Sequence, residues 1–337
     1  MMDYFLIVPL LVGFFLALFS LPRWIRKAHT INLVWDDMNK YHKPKVAGSG
    51  GIIAVLGFIV AVFIFIAYRT FYQGDSLYLV EILTLLLVVV LAAGIGFIDD
   101  LIGWKRGGLS KRSRLFLIAL VAIPLMAINA GRHEIALPFL GKITLGIIYP
   151  LIFIPLGVVG ATTTFNILAG YNGLEAGQGI LILSALGLVA FFTGNAWLSI
   201  IALCMIVSLF AFLFYNFSPA QVFPGDSLTY AIGSLIAVMS ILGNFEKVAV
   251  FFFIPYILET ILKSRGRLAK HSFGKPTKEG EILQPYDKVY GLEHLAIKVL
   301  KSSGIKPTEK RVVYSLWIFQ LMLIIMGFII FREGIFI

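Results

Sequence analysis

The chain has 337 residues, of which 59% are hydrophobic and 14% are charged, and its formal net charge is +10. A soluble domain averages roughly 45–50% apolar and about 25% charged residues, so this composition excludes an ordinary soluble protein and indicates a membrane protein. The single cysteine, Cys204, lies in an apolar run and gives no sign of a disulfide or a thiolate metal site.

Apolar stretches of about 20 residues, the length that crosses a bilayer as a helix, recur along the chain. They predict an all-α membrane protein with ten transmembrane helices in a single domain, residues 1–337. The predicted spans are residues 4–22, 50–67, 79–98, 115–130, 146–165, 178–193, 197–214, 227–243, 247–263 and 312–331. The first span is not a cleavable signal peptide, because Arg23, Arg26 and Lys27 follow the apolar stretch instead of preceding it.

The distribution of positive charge predicts the orientation in the membrane. The loops that follow the odd-numbered spans hold 23 of the 28 Lys and Arg residues. Because positive residues concentrate on the cytoplasmic side, we expect these loops to be cytoplasmic and both termini to be extracytoplasmic. The basic excess therefore sets topology and meets anionic lipid head groups, and it does not indicate nucleic-acid binding.

Two segments outside the membrane have recognisable patterns. Residues 134–146 predict a short extracytoplasmic hairpin. Residues 264–311 form a long cytoplasmic loop, in which an apolar helical face predicts an interfacial helix that lies on the membrane or on the bundle. That face contains Leu292, Leu295, Ala296, Val299 and Leu300, and Glu293, Lys298 and Lys301 lie opposite.

Carboxylates cost about 2.5–3.5 kcal/mol at the centre of a bilayer on insertion scales, so their positions are informative. None of the 18 Asp and Glu residues falls in the middle of a predicted span. Six lie at predicted cytoplasmic helix ends or in cytoplasmic loops: Asp36, Asp37, Asp99, Asp100, Glu175 and Asp226. A solvated charge or a helix cap explains any one of them. Because they come from four loops on one side, the group predicts an acidic functional cluster.

Polar and basic residues accompany these acids. Asn166 ends the fifth span in a turn that contains Asn172 and several glycines, which suits phosphate binding by backbone N–H groups but also fits an ordinary loop. Lys111, Arg112 and Arg114 follow the acidic pair, and Lys270 and His271 lie among cations in the last loop. Such cations suit a site for Mg²⁺ and a diphosphate, although anchoring at the membrane surface explains each of them equally well.

Four segments resemble the polyprenyl-phosphate sugar-1-phosphate transferase family: DDMNKYHKPKVAGSGG, GFIDDLIGW, NILAGYNGLEAGQG and QVFPGDSLTYAIG. The resemblance extends over residues 5–335 and is strongest to the enzymes that transfer N-acetylglucosamine phosphate from its UDP derivative to dolichyl phosphate. It implies ten transmembrane helices and a cytoplasmic site for Mg²⁺, with Mn²⁺ as an alternative.

The resemblance also implies roles for individual residues. Asn166 and Asp226 would hold the metal, Asp99 or Asp100 would act as a base, and Arg114 would hold the lipid phosphate, with Lys111 a turn earlier. The residues expected to bind the nucleotide sugar are Asp36, Asp37, Met38, Asn172, Glu175, Lys270 and His271. The sequence departs from the family pattern at three places. Arg114 stands where members usually carry Lys, Gly48 where eukaryotic members carry Glu, and Lys270-His271-Ser272 where they carry Arg-His-Arg.

The predicted reaction transfers GlcNAc-1-phosphate from UDP-GlcNAc to a polyprenyl phosphate and releases UMP, as the first membrane step of lipid-linked glycan assembly. The expected partners are these two substrates and membrane lipid, a homodimer is left open, and nucleic acid is excluded. A transporter for lipid-linked or nucleotide sugars is the alternative, but transporters bind near the midplane, where this chain has no charges. The retained polar set argues against a third hypothesis, a catalytically silent subunit.

Overall fold

The structure is a computed structural model that describes residues 4–131, 134–137 and 141–336. The described chain is mostly helical, which confirms the predicted all-α class. The helices are α1 (Ile7–Thr30), α2 (Gly51–Ala67), α3 (Leu79–Arg106), α4 (Lys111–Val121), α5 (Ile123–Ala127), α6 (Ile154–Phe165), α7 (Leu174–Phe192), α8 (Ala196–Asn216), α9 (Gly225–Gly243), α10 (Glu246–Phe252), α11 (Ile254–Arg265), α12 (Leu292–Ser302), α13 (Glu309–Ile330) and α14 (Arg332–Ile335).

Within the described residues, seven helices are long and apolar enough to cross a bilayer, so the chain is a multi-pass membrane protein. They are the helices that contain α1, α2, α3, α7, α8, α9 and α13. Their positions match seven of the ten predicted spans.

The other three predicted spans differ from single long helices. The span at 115–130 is divided into α4 and α5 just before Pro124, and the span at 247–263 is divided into α10 and α11 just before Pro255. Proline lacks a backbone N–H and its ring clashes with the preceding turn, so a helix stops or kinks at such a position. The span at 146–165 is an apolar helix of 17 residues, Tyr149–Phe165, whose first part is a π-helical turn.

Several helices extend further than their apolar stretches. The third span was predicted to end at residue 98, but α3 continues to Arg106, so the acidic pair lies on the helix and not after it. The starts of α7 and α9 likewise include Glu175 and Asp226 in their first turns. Hydropathy finds the apolar part of a helix, whereas backbone hydrogen bonding continues into polar residues at its ends.

The described strands form three short antiparallel pairs. They are β1 (Val34–Asp36) with β2 (Lys45–Ala47), β3 (Glu134–Leu137) with β4 (Gly141–Thr144), and β5 (Lys275–Pro276) with β6 (Ile282–Leu283). The antiparallel pairing of β3 with β4 confirms the predicted hairpin, and residues 138–140 lie outside the described residues. In the first pair, Ala47 also bridges to Val222, which joins the loop after α1 to the loop before α9.

Helix α9 is at the centre of the bundle, since sixteen of its nineteen residues are buried. It packs against α3 and α6, while α7 pairs with α8, and α1 packs against α2 and α8. The N-terminus of α9 therefore meets the C-terminal ends of α3 and α6, and this junction builds the candidate site.

The amphipathic segment of the last loop forms α12, but the burial of three of its residues, Glu293, Leu295 and Val299, differs from the predicted pattern. Its buried face contains Leu292, Glu293, His294, Ala296 and Ile297, whereas Leu295 and Val299 are exposed. The reason is that Glu293 lies beside the carboxyl group of Glu259 from α11 and not in water. Helix α12 packs on α11 and α13. Contact of its exposed apolar residues with lipid stays a prediction.

Candidate functional site

A cavity of about 600 Å³ opens at the end of the bundle where α9 begins. Ten of the thirteen residues predicted to form the site line it. They are Asp36, Asp37, Met38, Asp99, Asp100, Arg114, Asn166, Asn172, Glu175 and Asp226. The loops and helix ends that carry these residues are far apart in sequence, so the fold collects them.

The two carboxylates of the acidic pair have different surroundings. Asp99 is buried and forms an ion pair with Arg114. Its Oδ1 also accepts hydrogen bonds from the Leu109 backbone N–H at 2.7 Å and from Arg114 Nη2 at 3.1 Å. Asp99 therefore fixes both the loop after α3 and the guanidinium at the start of α4.

Asp100 faces α9 instead. Its Oδ1 accepts a hydrogen bond from the backbone N–H of Asp226 at 2.8 Å, and its Oδ2 accepts a longer one from Ser227 N–H at 3.4 Å. The first N–H groups of a helix have no intrahelical partner, so a carboxylate there caps the helix and also matches its dipole. Asp100 is thus a capping group supplied by one helix to the start of another.

Two glycines allow this contact. Gly225 has φ +69°, in the left-handed region that favours glycine, and an added Cβ would lie 2.2 Å from Asp100 Oδ2. A Cβ on Gly96 of α3 would lie 2.3 Å from the carbonyl oxygen of Asp226. Larger residues at either position would separate α3 from the start of α9.

Asn166 and Asp226 meet across the ends of α6 and α9. The side-chain amide of Asn166 hydrogen-bonds the Asp226 carboxylate, and its Oδ1 accepts a hydrogen bond from Thr229 Oγ1 at 3.1 Å. These contacts orient the amide oxygen and the carboxylate, two oxygen donors of the type that Mg²⁺ binds.

The backbone of the turn that joins α6 to α7, residues 166–173, is held by side chains from several elements. Asn39 Nδ2 donates to the Gly170 carbonyl oxygen at 2.7 Å, and Gly170 N–H donates to Glu175 Oε1 at 2.8 Å. Gly173 N–H donates to Asn216 Oδ1 at 3.1 Å. The turn is therefore rigidly attached to the loop after α1 and to the end of α8.

Asn172, in the same turn, joins three parts of the site. Its Nδ2 donates to Asp37 Oδ2 at 2.8 Å, and its backbone N–H donates to Glu309 Oε1 at 3.0 Å. Glu309 is buried and also pairs with Lys40 and accepts from Ser218 Oγ. Asp36 and Met38, on either side of Asp37, contribute more exposed side chains to the cavity wall.

Three predicted site residues do not line the cavity. Lys111 is exposed at the start of α4. Lys270 is exposed and its ammonium lies 4.8 Å from the centre of the Tyr286 ring, and His271 is exposed beside it. Phe273, two residues further on, does line the cavity.

Sequence reasoning missed the residues that support the turn. Asn39 directly follows the predicted segment Asp36–Met38, and this position in the sequence could have indicated that it belongs to the site. Nothing in the sequence around Asn216 or Glu309 indicates a role in the site, because each contacts the turn only through the tertiary fold. The 23 cytoplasmic positive charges include Lys263, at the edge of the last loop, but its ammonium is directed inward to the Ile167 carbonyl.

The cavity has an uneven charge balance. Among the described side chains that line it, six are carboxylic acids and one, Arg114, is a cation. A diphosphate would be repelled by so many carboxylates unless further cations accompany it. The excess of carboxylate oxygens therefore favours binding of a cation in the cavity.

Comparison with known proteins identifies the family of the chain. The model of glycosyl transferase family 4 matches residues 82–244. A Saccharolobus solfataricus protein with the provisional name UDP-N-acetylglucosamine–dolichyl-phosphate N-acetylglucosaminephosphotransferase is 34% identical over 93% of this chain and 92% of its own length.

Two further relatives come from other domains of life. A Dictyostelium discoideum UDP-N-acetylglucosamine–dolichyl-phosphate N-acetylglucosaminephosphotransferase is 31% identical, with 67% of this chain and 64% of its own length covered. A phospho-N-acetylmuramoyl-pentapeptide-transferase of Clostridium perfringens is 27% identical, with 77% and 83% covered. The identity extends along almost the whole chain in the first relative, and the predicted resemblance is confirmed: the chain belongs to glycosyl transferase family 4, the sugar-phosphate transferases.

Proposed function

We propose that this protein transfers GlcNAc-1-phosphate from UDP-GlcNAc to a polyprenyl phosphate of the dolichyl type and releases UMP. The observation that carries the proposal is the acid-lined cavity with one arginine at the end of a membrane bundle, in a chain related to transferases of this substrate class. A transporter is not favoured, because the relatives are named as transferases and the cavity is at the end of the bundle.

The substrate assignment is tested with purified protein and a panel of UDP-sugars and polyprenyl phosphates. UMP release should be fastest with UDP-GlcNAc and should yield a GlcNAc-diphosphate lipid. Release of UMP with a different sugar, and none with UDP-GlcNAc, would assign another donor within the same reaction class.

The proposed metal is Mg²⁺, with Mn²⁺ as an alternative, and Asn166 and Asp226 would hold it. Among the described residues there is no group of three or more His, Cys, Asp or Glu side chains able to bind a metal by themselves. Mg²⁺ is commonly bound by one or two carboxylates together with substrate phosphates, so a two-residue site fits. When bound, the ion would neutralise the diphosphate and stabilise charge that develops during transfer.

Arg114 is proposed to bind the acceptor phosphate. A guanidinium can contact two phosphate oxygens at once, and Asp99 already holds this one in place through Nε and Nη2. Asp99 would then orient the cation that binds the lipid phosphate, whereas Asp100 would orient the start of α9 and therefore Asp226.

The transfer is proposed to be direct. An oxygen of the lipid phosphate attacks the β-phosphorus of UDP-GlcNAc, a P–O bond forms, and the bond to the oxygen that bridges the α- and β-phosphorus breaks, so that UMP leaves. The lipid phosphate is already anionic, so a prior attack by an Asp carboxylate gains little, although aspartyl-phosphates occur in other enzymes. Alignment and charge stabilisation would supply most of the acceleration.

The cavity is proposed to open to the cytoplasm, on the basis of the 23 positive residues in the loops on its side of the bundle. A cysteine introduced at Ser303 should then resist an impermeant reagent in intact cells, while one at Gly141 should react. The reverse labelling pattern would place the site on the other face.

A further inference from the structure

Lys263 lies near the end of α11, and its ammonium has three partners from three parts of the chain. It donates to the Ile167 carbonyl oxygen at 2.5 Å and to Ser272 Oγ at 2.6 Å. It also forms an ion pair with Glu259 Oε1 at 3.2 Å. The charge of Lys263 is therefore balanced by two hydrogen bonds and one ion pair.

This arrangement is unusual for a lysine at the end of an apolar helix. Such a side chain ordinarily extends to the aqueous interface, where its charge stays hydrated. The side chain of Lys263 is only 12% exposed, and that of its partner Glu259 is fully buried. A desolvated charge is tolerated when it is paired and hydrogen-bonded, so the three contacts are what keep Lys263 inward.

The partners of Lys263 are next to residues that line the cavity. Ile167 follows Asn166, which faces Asp226 in the cavity. Ser272 follows Lys270 and His271 and precedes Phe273, which lines the cavity. One ammonium therefore connects the turn at residues 166–173 to the start of the last loop.

A second connection continues from Lys263 to α12. The other carboxylate oxygen of Glu259 accepts the backbone N–H of Leu292 at 2.5 Å, at the N-terminal end of α12. The Glu293 carboxyl group lies against Glu259. Helix α12 is thereby attached to the same junction.

We propose that Lys263 is a positioning residue for the transfer reaction: it holds the Asn166 turn and the segment Lys270–Phe273 in one fixed arrangement around the donor substrate. The proposal rests on the proposed function, because it assumes that these two segments bind the UDP-sugar. Lys263 itself does not line the cavity.

The effect should be specific to the donor. Arg114, the candidate acceptor-phosphate residue, is held by Asp99 and shares no partner with Lys263. Groups that hold metal ligands in place without touching the metal typically contribute 10- to 100-fold to affinity or activity, and Lys263 holds the residue next to the candidate ligand Asn166. The variant Lys263→Met should therefore lower kcat/KM for the UDP-sugar by about 10- to 100-fold and leave KM for the polyprenyl phosphate within about twofold.

The matched control is Lys247→Met, the same change at an exposed position on α10. It should leave both kinetic parameters unchanged. Equal loss of kcat/KM in the two variants, or a loss in Lys263→Met that is equal for donor and acceptor, would overturn the proposal.

Amide hydrogen exchange of the protein in detergent, without substrates, tests the same junction independently of activity. In Lys263→Met, exchange should accelerate together in residues 167–173 and 270–274, and not in α7 or α8. Uniform acceleration throughout the bundle, or acceleration in one segment alone, would contradict a specific junction. Because this readout needs no turnover, it separates failure of the proposal from failure of the proposed function.

A milder variant covers the case in which Lys263→Met does not fold. Ser272→Ala removes one hydrogen bond and leaves the Lys263–Glu259 ion pair intact. It should accelerate exchange in residues 270–274 and raise KM for the UDP-sugar by a smaller factor. Wild-type exchange and kinetics in Ser272→Ala, with Lys263→Met unfolded, would overturn the proposal.

Discussion

The carboxylate of Asp100 and the backbone N–H of Asp226 are joined by a hydrogen bond of 2.8 Å between α3 and α9. The neighbouring Asp99 points instead to Arg114. Two adjacent and chemically identical residues therefore have different partners, and substitutions should separate them.

The first prediction concerns Asp100. In Asp100→Ala the start of α9 loses its cap, which should reduce the free energy of unfolding by about 1 kcal/mol, whereas Asp100→Asn keeps an acceptor oxygen and should lose less. Thermal unfolding in detergent measures the difference, and Asp99→Ala serves as the comparison. Equal destabilisation by the alanine and asparagine changes at position 100 would argue against a capping role.

The second prediction concerns Asp226. The variant Asp226→Ala should abolish turnover while the protein stays folded in detergent, since the carboxylate is proposed as a metal ligand and is not a core packing group. UMP release at several Mg²⁺ concentrations measures this. Normal activity at limiting Mg²⁺ would remove Asp226 from the metal site.

The third prediction separates two cations that are one turn apart on α4. Arg114 lines the cavity and pairs with Asp99, whereas Lys111 is exposed. Arg114→Ala should impair use of the polyprenyl phosphate more than binding of the UDP-sugar. Lys111→Ala should have little effect on either substrate. The opposite result would show that Lys111 reaches the lipid phosphate.

The fourth prediction concerns the pH dependence of α12 docking. Burial, with the nearby Glu259 adding to it, raises the pKa of Glu293 well above its ordinary value of about 4.5. Folded Glu293 therefore keeps a proton that the unfolded chain releases, and the stability it contributes is lost as pH rises toward its folded pKa. Burial, together with the charge of Lys263, lowers the pKa of His294. Folded His294 therefore stays neutral where the unfolded chain takes up a proton, and the stability that it contributes is lost as pH falls below about 6.5.

Stability of this region should therefore pass through a maximum with pH. The titratable groups that face the pair are Glu259 and Lys263 from α11, Tyr171 from the turn, and Tyr286 from the last loop. Hydrogen exchange of the α12 amides between pH 5 and 9 measures how the stability of this region depends on pH. Glu293→Gln should remove the alkaline loss and His294→Gln the acidic loss, and an unchanged profile in both variants would contradict the assignment.

Much of the bundle and of the cavity could be predicted from the sequence. Long apolar runs locate seven helices, because a lipid-facing or core helix must be apolar for its whole length. The acids Asp99, Asp100 and Asp226 were predicted to cluster because each is at an apolar boundary on the same side. The cavity contains all three.

The features that could not be predicted from the sequence depend on tertiary contacts. The charge count places Lys263 at the edge of the last loop, and nothing local shows that Glu259, Ile167 and Ser272 surround its ammonium. Glu309 contacts Asn172 across 137 positions of sequence, which no periodicity can reveal. The predicted position of Glu293 on the polar face of α12 was wrong, because its burial beside another acid contradicts the usual preference for polar residues outside.

The central claim is direct transfer between two bound substrates, and purified enzyme stripped of endogenous lipid tests it. UDP-GlcNAc and Mg²⁺ alone should release no UMP, while addition of polyprenyl phosphate should release one UMP for each lipid-linked product. A burst near one equivalent of UMP without lipid, with labelled sugar phosphate retained on the protein, would contradict the account and make an aspartate the nucleophile. No UMP from any combination of donor, lipid phosphate and metal would contradict the transferase assignment itself.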